Sequence, residues 1–174
     1  MAFIVETGDI IEGATSYVAL DYASIYAESF FSEADYTTWG EASDASLERV
    51  LNRATMYLDS TYQFLGEKST VAQALQFPRA YLYDFKGDLI SGVPNDIKKA
   101  VCLVAIRLLN GINMSPDLER GGKVIREKID VIDISYSEGA PATTRFLEID
   151  NLLKASGLIS SNRNNIVNIP LTHR

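Results

Sequence analysis

Apolar residues recur at three- and four-residue steps in four segments of the chain, which is the spacing of one face of an α-helix. Ser43 or Asp44 can cap the clearest of them. The other three helices are predicted from Leu20 to about Phe31, from Pro94 to about Asn110 and from about Thr144 to Ala155. The pattern therefore predicts a mainly α fold, a bundle of about four helices. The stripe of the clearest helix consists of Leu47, Val50, Leu51, Ala54, Tyr57 and Leu58.

The segments between these helices are predicted from their breaks in periodicity. A polar loop is expected around Trp39 and Gly40, and a short helical turn from Thr70 to Leu75 is expected to end before Pro78, which disfavours a helical residue ahead of it. The third helix is apolar nearly all round from Ala100 to Leu109, so it is covered on more than one side. The cover is either the rest of a bundle or a neighbouring subunit.

A β element is predicted at about residues 124–136. Ile129 and Val131 alternate with polar residues in one phase, and Ile132, Ile134 and Tyr136 alternate in the other. A half-buried strand changes phase only at a bulge, at a turn or when both faces are buried. We therefore expect an extended arm or hairpin that is kinked near Val131. Its apolar residues are the candidate inter-subunit contacts: Ile129, Val131, Ile132, Ile134 and Tyr136.

The last residues have no helical period. Gly157 is a natural helix stop, so the helical domain with its β arm is predicted to span 1–157, followed by a loose C-terminal tail at 158–174. The tail carries two apolar clusters and no acid. We expect it to be disordered in the free subunit and to order on a partner. The candidate partner-docking residues are Leu158, Ile159, Arg163, Ile166, Val167, Ile169 and Leu171.

The charge of the chain narrows the choice of partner. The net charge is −7, and residues 1–60 hold eleven acids and only two bases, Arg49 and Arg53. An acidic surface repels phosphate backbones, so binding of nucleic acid by the chain as a whole is disfavoured. Either this is a solvated face that keeps the subunit in solution, or it is a surface that passes near DNA without adhering to it.

Catalytic and metal-binding residue types are scarce. The chain has one cysteine, Cys102, and one histidine, His173, so a zinc site of nitrogen and sulfur ligands within one chain is excluded. Asp130 and Asp133 are more simply polar strand positions than a carboxylate pair. We predict no enzyme activity, no cofactor and no metal. No apolar run approaches the ~20 residues of a membrane span, so we expect a soluble protein of a reducing cytoplasm that has no membrane partner.

Aromatic residues crowd the first forty positions, among them Tyr17, Tyr26 and Trp39. They could form a platform on which bases stack. Base-stacking surfaces normally interleave aromatic residues with Lys or Arg, which this stretch lacks. Core and interface packing is therefore the preferred interpretation.

Several short motifs occur in a recognisable order. Ser16-Tyr17-Val18 precedes the first helix, and Arg53-Ala54-Thr55 and Leu58-Asp59 lie in the second. They are followed by Gln73-Ala74-Leu75-Gln76-Phe77-Pro78-Arg79, by Val93-Pro94-Asn95-Asp96-Ile97, and by Arg120-Gly121-Gly122 with Arg126-Glu127-Lys128. In this order, over roughly Phe3 to Leu153, the chain resembles the head–tail adaptor (head-completion or connector) proteins of tailed bacteriophages.

That resemblance implies a structural virion protein of the phage neck, assembled in the host cytoplasm. Such a subunit forms a homo-oligomeric ring, twelve-fold like the portal, that joins the portal protein to the next neck or tail component. Double-stranded DNA passes through its channel without specific binding during genome ejection. Proteins of this type are sometimes labelled as similar to DnaT, so a DnaT-like single-stranded DNA-binding protein is the alternative. An unrelated helical scaffold or regulator is a third.

Overall fold

The computed structural model describes residues 2–115, 126–129, 132–135 and 146–159. Within these ranges the chain forms five α-helices and two small antiparallel sheets, so the predicted mainly α fold with a minor β element is confirmed. None of these helices is long and apolar enough to cross a membrane. The elements are α1 (Leu20–Phe30), α2 (Glu33–Glu41), α3 (Asp44–Thr61), β1 (Glu67–Lys68), β2 (Arg79–Ala80), α4 (Asn95–Leu109), β3 (Arg126–Ile129), β4 (Ile132–Ser135) and α5 (Leu147–Ala155).

Helix α4 is the centre of the bundle. It packs most extensively on α3, then on α5, and also touches α1 and α2. Arg107 on α4 forms an ion pair with Glu148 on α5. The chain itself therefore covers most of the apolar circumference predicted for this helix, and Leu103, Leu108 and Leu109 stay partly exposed. Its buried residues are Ile97, Ala100, Val101, Cys102, Val104, Ala105 and Ile106.

The prediction of a loop around Trp39 is wrong, because this segment is helix α2. The Ser32 side chain caps the helix by accepting a hydrogen bond from the backbone N–H of Asp35. Trp39 is the one residue of α2 that is buried. A nine-residue helix with one buried side chain has no apolar period, which is why the sequence pattern missed it.

Helix α1 lies where it was predicted, and its small residues face the core. Ala23 and Ala27 are fully buried, whereas the larger Ile25 and Phe30 are 65% and 70% exposed. Alanine lets the backbone of α1 approach its neighbours closely. The larger side chains on either side are left at the rim or in solvent.

The region between α3 and α4 is irregular. No helical turn forms at Thr70–Leu75, and instead the Gln73 side chain accepts a hydrogen bond from Thr70 N–H and donates to the carbonyls of Leu75 and Pro78. Strands β1 and β2 pair as Glu67↔Ala80 and Lys68↔Arg79. The Phe77–Pro78 peptide bond is cis.

The predicted β arm is a hairpin. Strands β3 and β4 are antiparallel, and their register pairs Ile129 with Ile132 and Glu127 with Ile134. The two phases of the sequence therefore belong to two different strands, which accounts for the change of phase. Val131 and Tyr136 lie outside the described residues, and the inter-subunit role of all five residues stays a prediction.

The predicted start of the tail after Gly157 is too early. Leu158 is only 1% exposed, its carbonyl accepts a hydrogen bond from Leu65 N–H, and Ile159 pairs with Phe64. Gly157, at φ +70°, turns the chain back onto the segment after α3. Leu158 is thus a core residue and is not free to dock on a partner. The remaining docking candidates, Arg163, Ile166, Val167, Ile169 and Leu171, lie outside the described residues.

Two truncations of the full chain test this boundary. A chain ending at Gly157 should be less stable than one ending at Ile159 by about 2–4 kcal/mol, because it loses the buried Leu158 side chain. Urea unfolding of the two proteins measures the difference. Equal unfolding midpoints for the two proteins would show that Leu158 and Ile159 belong to the tail and not to the folded domain.

Candidate functional site

Residues from three of the quoted motifs meet inside the fold. Tyr17 comes from the segment before α1, Asp59 from the last turn of α3, and Gln76, Phe77 and Arg79 from the segment that leads into β2. These five residues, called here the Tyr17–Asp59 cluster, are far apart in the sequence. Their contacts decide whether the motifs form a binding site or a structural element.

The Tyr17 hydroxyl is the centre of the cluster. It donates to the Asp59 carboxylate, at 2.7 Å from Oδ1 and 3.0 Å from Oδ2. It accepts hydrogen bonds from the backbone N–H groups of Gln76, at 2.9 Å, and Phe77, at 3.1 Å. Gln76 N–H also donates to Asp59 Oδ2 at 3.0 Å. Donors and acceptors are matched, which buried polar groups require.

Aromatic packing encloses this network. Phe77 is fully buried, and its ring meets that of Tyr17 edge-on with centroids 5.8 Å apart. On another side it meets Phe64 at 4.9 Å. The backbone N–H of Tyr17 donates to the Thr55 hydroxyl at 3.4 Å, which joins a further motif residue on α3 to the cluster.

All N–H donors of the Arg79 guanidinium are hydrogen-bonded within the chain. Its Nε donates to Leu65 O at 2.7 Å, and one terminal nitrogen donates to Gly66 O at 2.7 Å and Phe64 O at 3.2 Å. The other donates to the backbone carbonyl and the side-chain Oε1 of Gln76 at 3.3 and 3.0 Å. Arginine has five N–H donors, so none is left for a phosphate.

The pKa shifts of Asp59 and Tyr17 agree with a structural role for the cluster. Burial raises the pKa of the Asp59 carboxyl, although hydrogen bonds from Tyr17 and Gln76 and the charges of Lys68 and Arg79 oppose the rise. Burial, and then the negative Asp59, raise the pKa of the Tyr17 hydroxyl. The hydroxyl therefore stays protonated, and it holds its proton toward the carboxylate.

The Tyr17 hydroxyl at the centre of the cluster is not accessible, whereas Asp59, Gln76 and Arg79 are partly exposed. Tyr17 is 1% exposed, so no substrate can reach its hydroxyl. Among the described residues no group of three or more His, Cys, Asp or Glu side chains could hold a metal. Cys102 is buried, as expected for an inert thiol, and burial raises its pKa to about 12. His173 and Asp130 lie outside the described residues.

The aromatic residues of the first forty positions do not form one platform. Tyr17 and Trp39 are buried, and Tyr26 and Phe31 are half-buried and in ring contact with one another. Phe30 is mostly exposed. Packing within the chain therefore accounts for most of this group, as the preferred interpretation held.

A different aromatic surface lies on the loop between β2 and α4, and sequence analysis missed it. Four of its apolar side chains are 51–78% exposed. The loop has no helical or strand periodicity, so the pattern could not rank its residues by burial. The only sequence signal was a concentration of large apolar residues around Gly87. This surface, called the aromatic loop, consists of Tyr81, Tyr83, Phe85 and Leu89.

The aromatic loop is held in a defined shape. Tyr83 pairs with Leu89, and the Asp84 carboxylate accepts the backbone N–H groups of Lys86 and Asp88 at 2.8 and 2.9 Å. Its exposed side chains are therefore presented from an ordered backbone. Tyr81 adopts φ +54°, an unusual conformation for a residue other than glycine.

The loop is also anchored to the body. Leu82, between two exposed tyrosines, is 1% exposed. The Phe85 ring packs on Gly157 after α5, where an added Cβ would lie 3.1 Å from the ring. Backbone strain of the kind seen at Tyr81 often marks interaction sites.

Replacing Asp59 tests the Tyr17–Asp59 cluster. Asp59→Ala should cost about 1–3 kcal/mol, because the buried Tyr17 hydroxyl loses its acceptor. Burial raises the pKa of Asp59 in the folded protein. The stability that Asp59 contributes is therefore fully present below the ordinary pKa of 3.8 and is lost as the pH rises through the pKa of the folded protein. The stability of the wild type relative to Asp59→Asn should therefore fall over that window in urea titrations. A pH-independent difference would contradict the buried-carboxyl assignment.

Comparison with known proteins identifies the family of the chain. The search of curated proteins and the search of solved structures each found no match. A family model does match, over residues 1–172, and its description is "Putative DnaT-like ssDNA binding protein". The match covers nearly the whole chain, including every motif that meets in the Tyr17–Asp59 cluster. The chain therefore belongs to this DnaT-like family.

Proposed function

We propose that this protein is a structural subunit of the neck of a tailed phage, a head-to-tail adaptor without enzyme activity. The observation that carries the proposal is the Tyr17–Asp59 cluster. The residues of the motifs on which the resemblance to adaptor proteins rests hold three segments of the chain together through hydrogen bonds. A role of these residues within the fold is what a purely structural subunit requires.

Surface composition supports an assembled state. The aromatic loop and the outer face of α1 expose large apolar side chains, with Phe85 at 78% and Phe30 at 70%. Exposed apolar surface on an ordered backbone is typical of protein–protein contacts. A ring subunit needs such surface on its flanks, and we propose a homo-oligomeric ring, twelve-fold as the resemblance implies.

The charge distribution supports a conduit for DNA. Most acids of the first sixty residues are exposed, whereas a base of that region, Arg49, is engaged with the Ala45 carbonyl and the Ser46 hydroxyl. A channel wall that repels phosphates lets double-stranded DNA pass without holding it. The exposed acids are Asp9, Glu12, Asp21, Glu28, Glu33, Glu41 and Asp44.

The partners in this proposal are the portal protein on one side and the next neck or tail protein on the other. The subunit would act in the virion after assembly in the host cytoplasm. Docking on the portal through Ile166, Val167, Ile169 and Leu171 remains part of the proposal. Leu158 is excluded from that contact because it is buried.

Single-stranded DNA binding is the second candidate function. The description of the matching family favours it. Against it, the donors of Arg79 are all engaged, and the aromatic loop carries Asp84 and Asp88 beside its single base, Lys86. Single-strand binders combine aromatic residues with a basic groove. The described residues bring no such groove to the aromatic loop.

Sedimentation with phage heads tests the adaptor role. The full chain should co-sediment with heads that carry the portal and stay at the top of the gradient with heads that lack it. Met56→Ser, at a 65% exposed position of α3 outside the cluster and the aromatic loop, is the control variant and should also co-sediment. Equal recovery with both kinds of head, or with neither, would contradict the proposal.

A further inference from the structure

The aromatic loop carries positive charge beside its exposed apolar side chains. Lys86 follows Phe85 in the loop, and Lys154 lies in the last turn of α5, three residues before the Gly157 on which the Phe85 ring packs. Both lysines are exposed, and neither forms an ion pair with another described residue. The other bases that follow α3 and have described side chains are all partly buried. The aromatic loop therefore combines exposed apolar area with the exposed bases of this part of the chain.

The acids of the aromatic loop oppose this positive charge only in part. Asp84 is partly buried, and its carboxylate accepts the backbone N–H groups of Lys86 and Asp88. Asp88 is the one exposed acid of the loop. Two exposed bases and one exposed acid leave the surface with a small positive excess.

The outer face of α1 has the opposite charge. Four exposed residues recur there at the three- and four-residue steps of one helix face, on the side away from the buried Ala23 and Ala27. The apolar residue of this face, Ile25, is 65% exposed and has a carboxylate about one turn away on either side. No Lys or Arg occurs in α1 or α2. This surface, called the acidic face of α1, consists of Asp21, Ile25, Glu28 and Ser29.

The two surfaces lie on different parts of the subunit. Helix α1 packs on α2, α3 and α4, whereas the aromatic loop packs on Gly157 after α5. Ile25 is 65% and Phe85 78% exposed, so the two surfaces do not cover one another within one chain. A contact between them would join two copies through two different places. Such heterologous contacts generate rings when the rotation closes.

We propose that the aromatic loop of one copy docks on the acidic face of α1 of a second copy of this chain. The inference rests on the proposed function, because it names a contact that builds the ring. The exposed aromatic rings of the loop pack on Ile25 and bury apolar area on both copies. Lys86 and Lys154 then lie opposite the two carboxylates of the acidic face, and this complementary charge fixes the orientation of the contact.

A nucleic acid is the other occupant that aromatic rings beside lysines could take. The aromatic loop offers two exposed lysines, which Asp88 opposes, whereas a phosphate backbone carries a charge at every nucleotide. The acidic face of α1 carries two carboxylates, which the two lysines match. The charges therefore favour a second copy of the chain over DNA.

Intermolecular cross-linking tests the contact in the full chain. The native Cys102 is buried and burial raises its pKa to about 12, so single introduced cysteines can be used without removing it. Asp88→Cys lies in the aromatic loop and Ser29→Cys on the acidic face of α1, and both replace exposed residues while sparing the lysines and carboxylates of the contact. With a short bismaleimide, a mixture of the two variants should give covalent dimers between the two different chains. Neither variant alone should do so.

The matched control replaces Asp88→Cys by Met56→Cys, which lies at a 65% exposed position of α3. That mixture should give no such dimer. Absence of the heterodimer in the first mixture would overturn the proposal. So would covalent dimers of Asp88→Cys alone, which would place two aromatic loops against each other. Loss of the heterodimer on addition of single-stranded DNA would assign the surface to DNA instead.

Charge reversal supplies an independent readout by sedimentation velocity. Lys86→Glu with Lys154→Glu places acids opposite the acidic face and should weaken self-association at least about tenfold. Asp21→Lys with Glu28→Lys should weaken it similarly, because bases then face bases. A mixture of the two double variants should restore association, since each altered surface finds its complement on the other chain. Failure of the mixture to associate would overturn the contact.

The matched control for total charge is Arg49→Glu with Arg53→Glu, which reverses two exposed bases of α3. This pair changes the net charge as much as Lys86→Glu with Lys154→Glu and should leave self-association unchanged. Equal weakening by the two pairs would make total charge the cause and contradict the contact. If the mixture of charge-reversed variants fails to associate while the wild type co-sediments with portal-bearing heads, the contact is wrong and the adaptor role stands.

Discussion

The fold depends on the hydrogen bonds of one buried phenol. The Tyr17 hydroxyl joins the segment before α1, the end of α3 and the backbone of Gln76 and Phe77. No helix-to-helix contact makes that connection, because two of the three segments are irregular. Leaving any of these buried groups unpaired would cost about 1–3 kcal/mol. The long irregular region between α3 and α4 is thereby fixed against the helices, and with it the backbone from which the aromatic loop projects.

The same constraint explains why the polar residues of the Tyr17–Asp59 cluster contact one another and the backbone. Tyr17, Asp59 and Arg79 lie near one another, and each is hydrogen-bonded to backbone groups or to another member of the cluster. The proposal therefore places the function on the surface. It rests there on an ordered aromatic loop and on an acidic first third of the chain.

Long, strongly periodic elements could be predicted from the sequence, and short or tertiary features could not. Helices α3 and α4 lie close to their predicted bounds because each has a full apolar period. Trp39 was misplaced because α2 buries a single residue. Leu158 was misplaced because its partners lie near Leu65, almost a hundred positions away. The motifs of the Tyr17–Asp59 cluster could be named in the sequence, but their meeting depends on how three segments pack.

The adaptor proposal gives the family motifs a role in stabilising the fold and none in binding nucleic acid. Fluorescence polarisation of labelled single- and double-stranded DNA, titrated with the full chain at physiological salt, tests it most directly. We expect no appreciable binding to either form, because Arg79 has no free donor and the first sixty residues repel phosphates. Sub-micromolar affinity for single strands with a steep salt dependence would contradict it and establish the DnaT-like alternative.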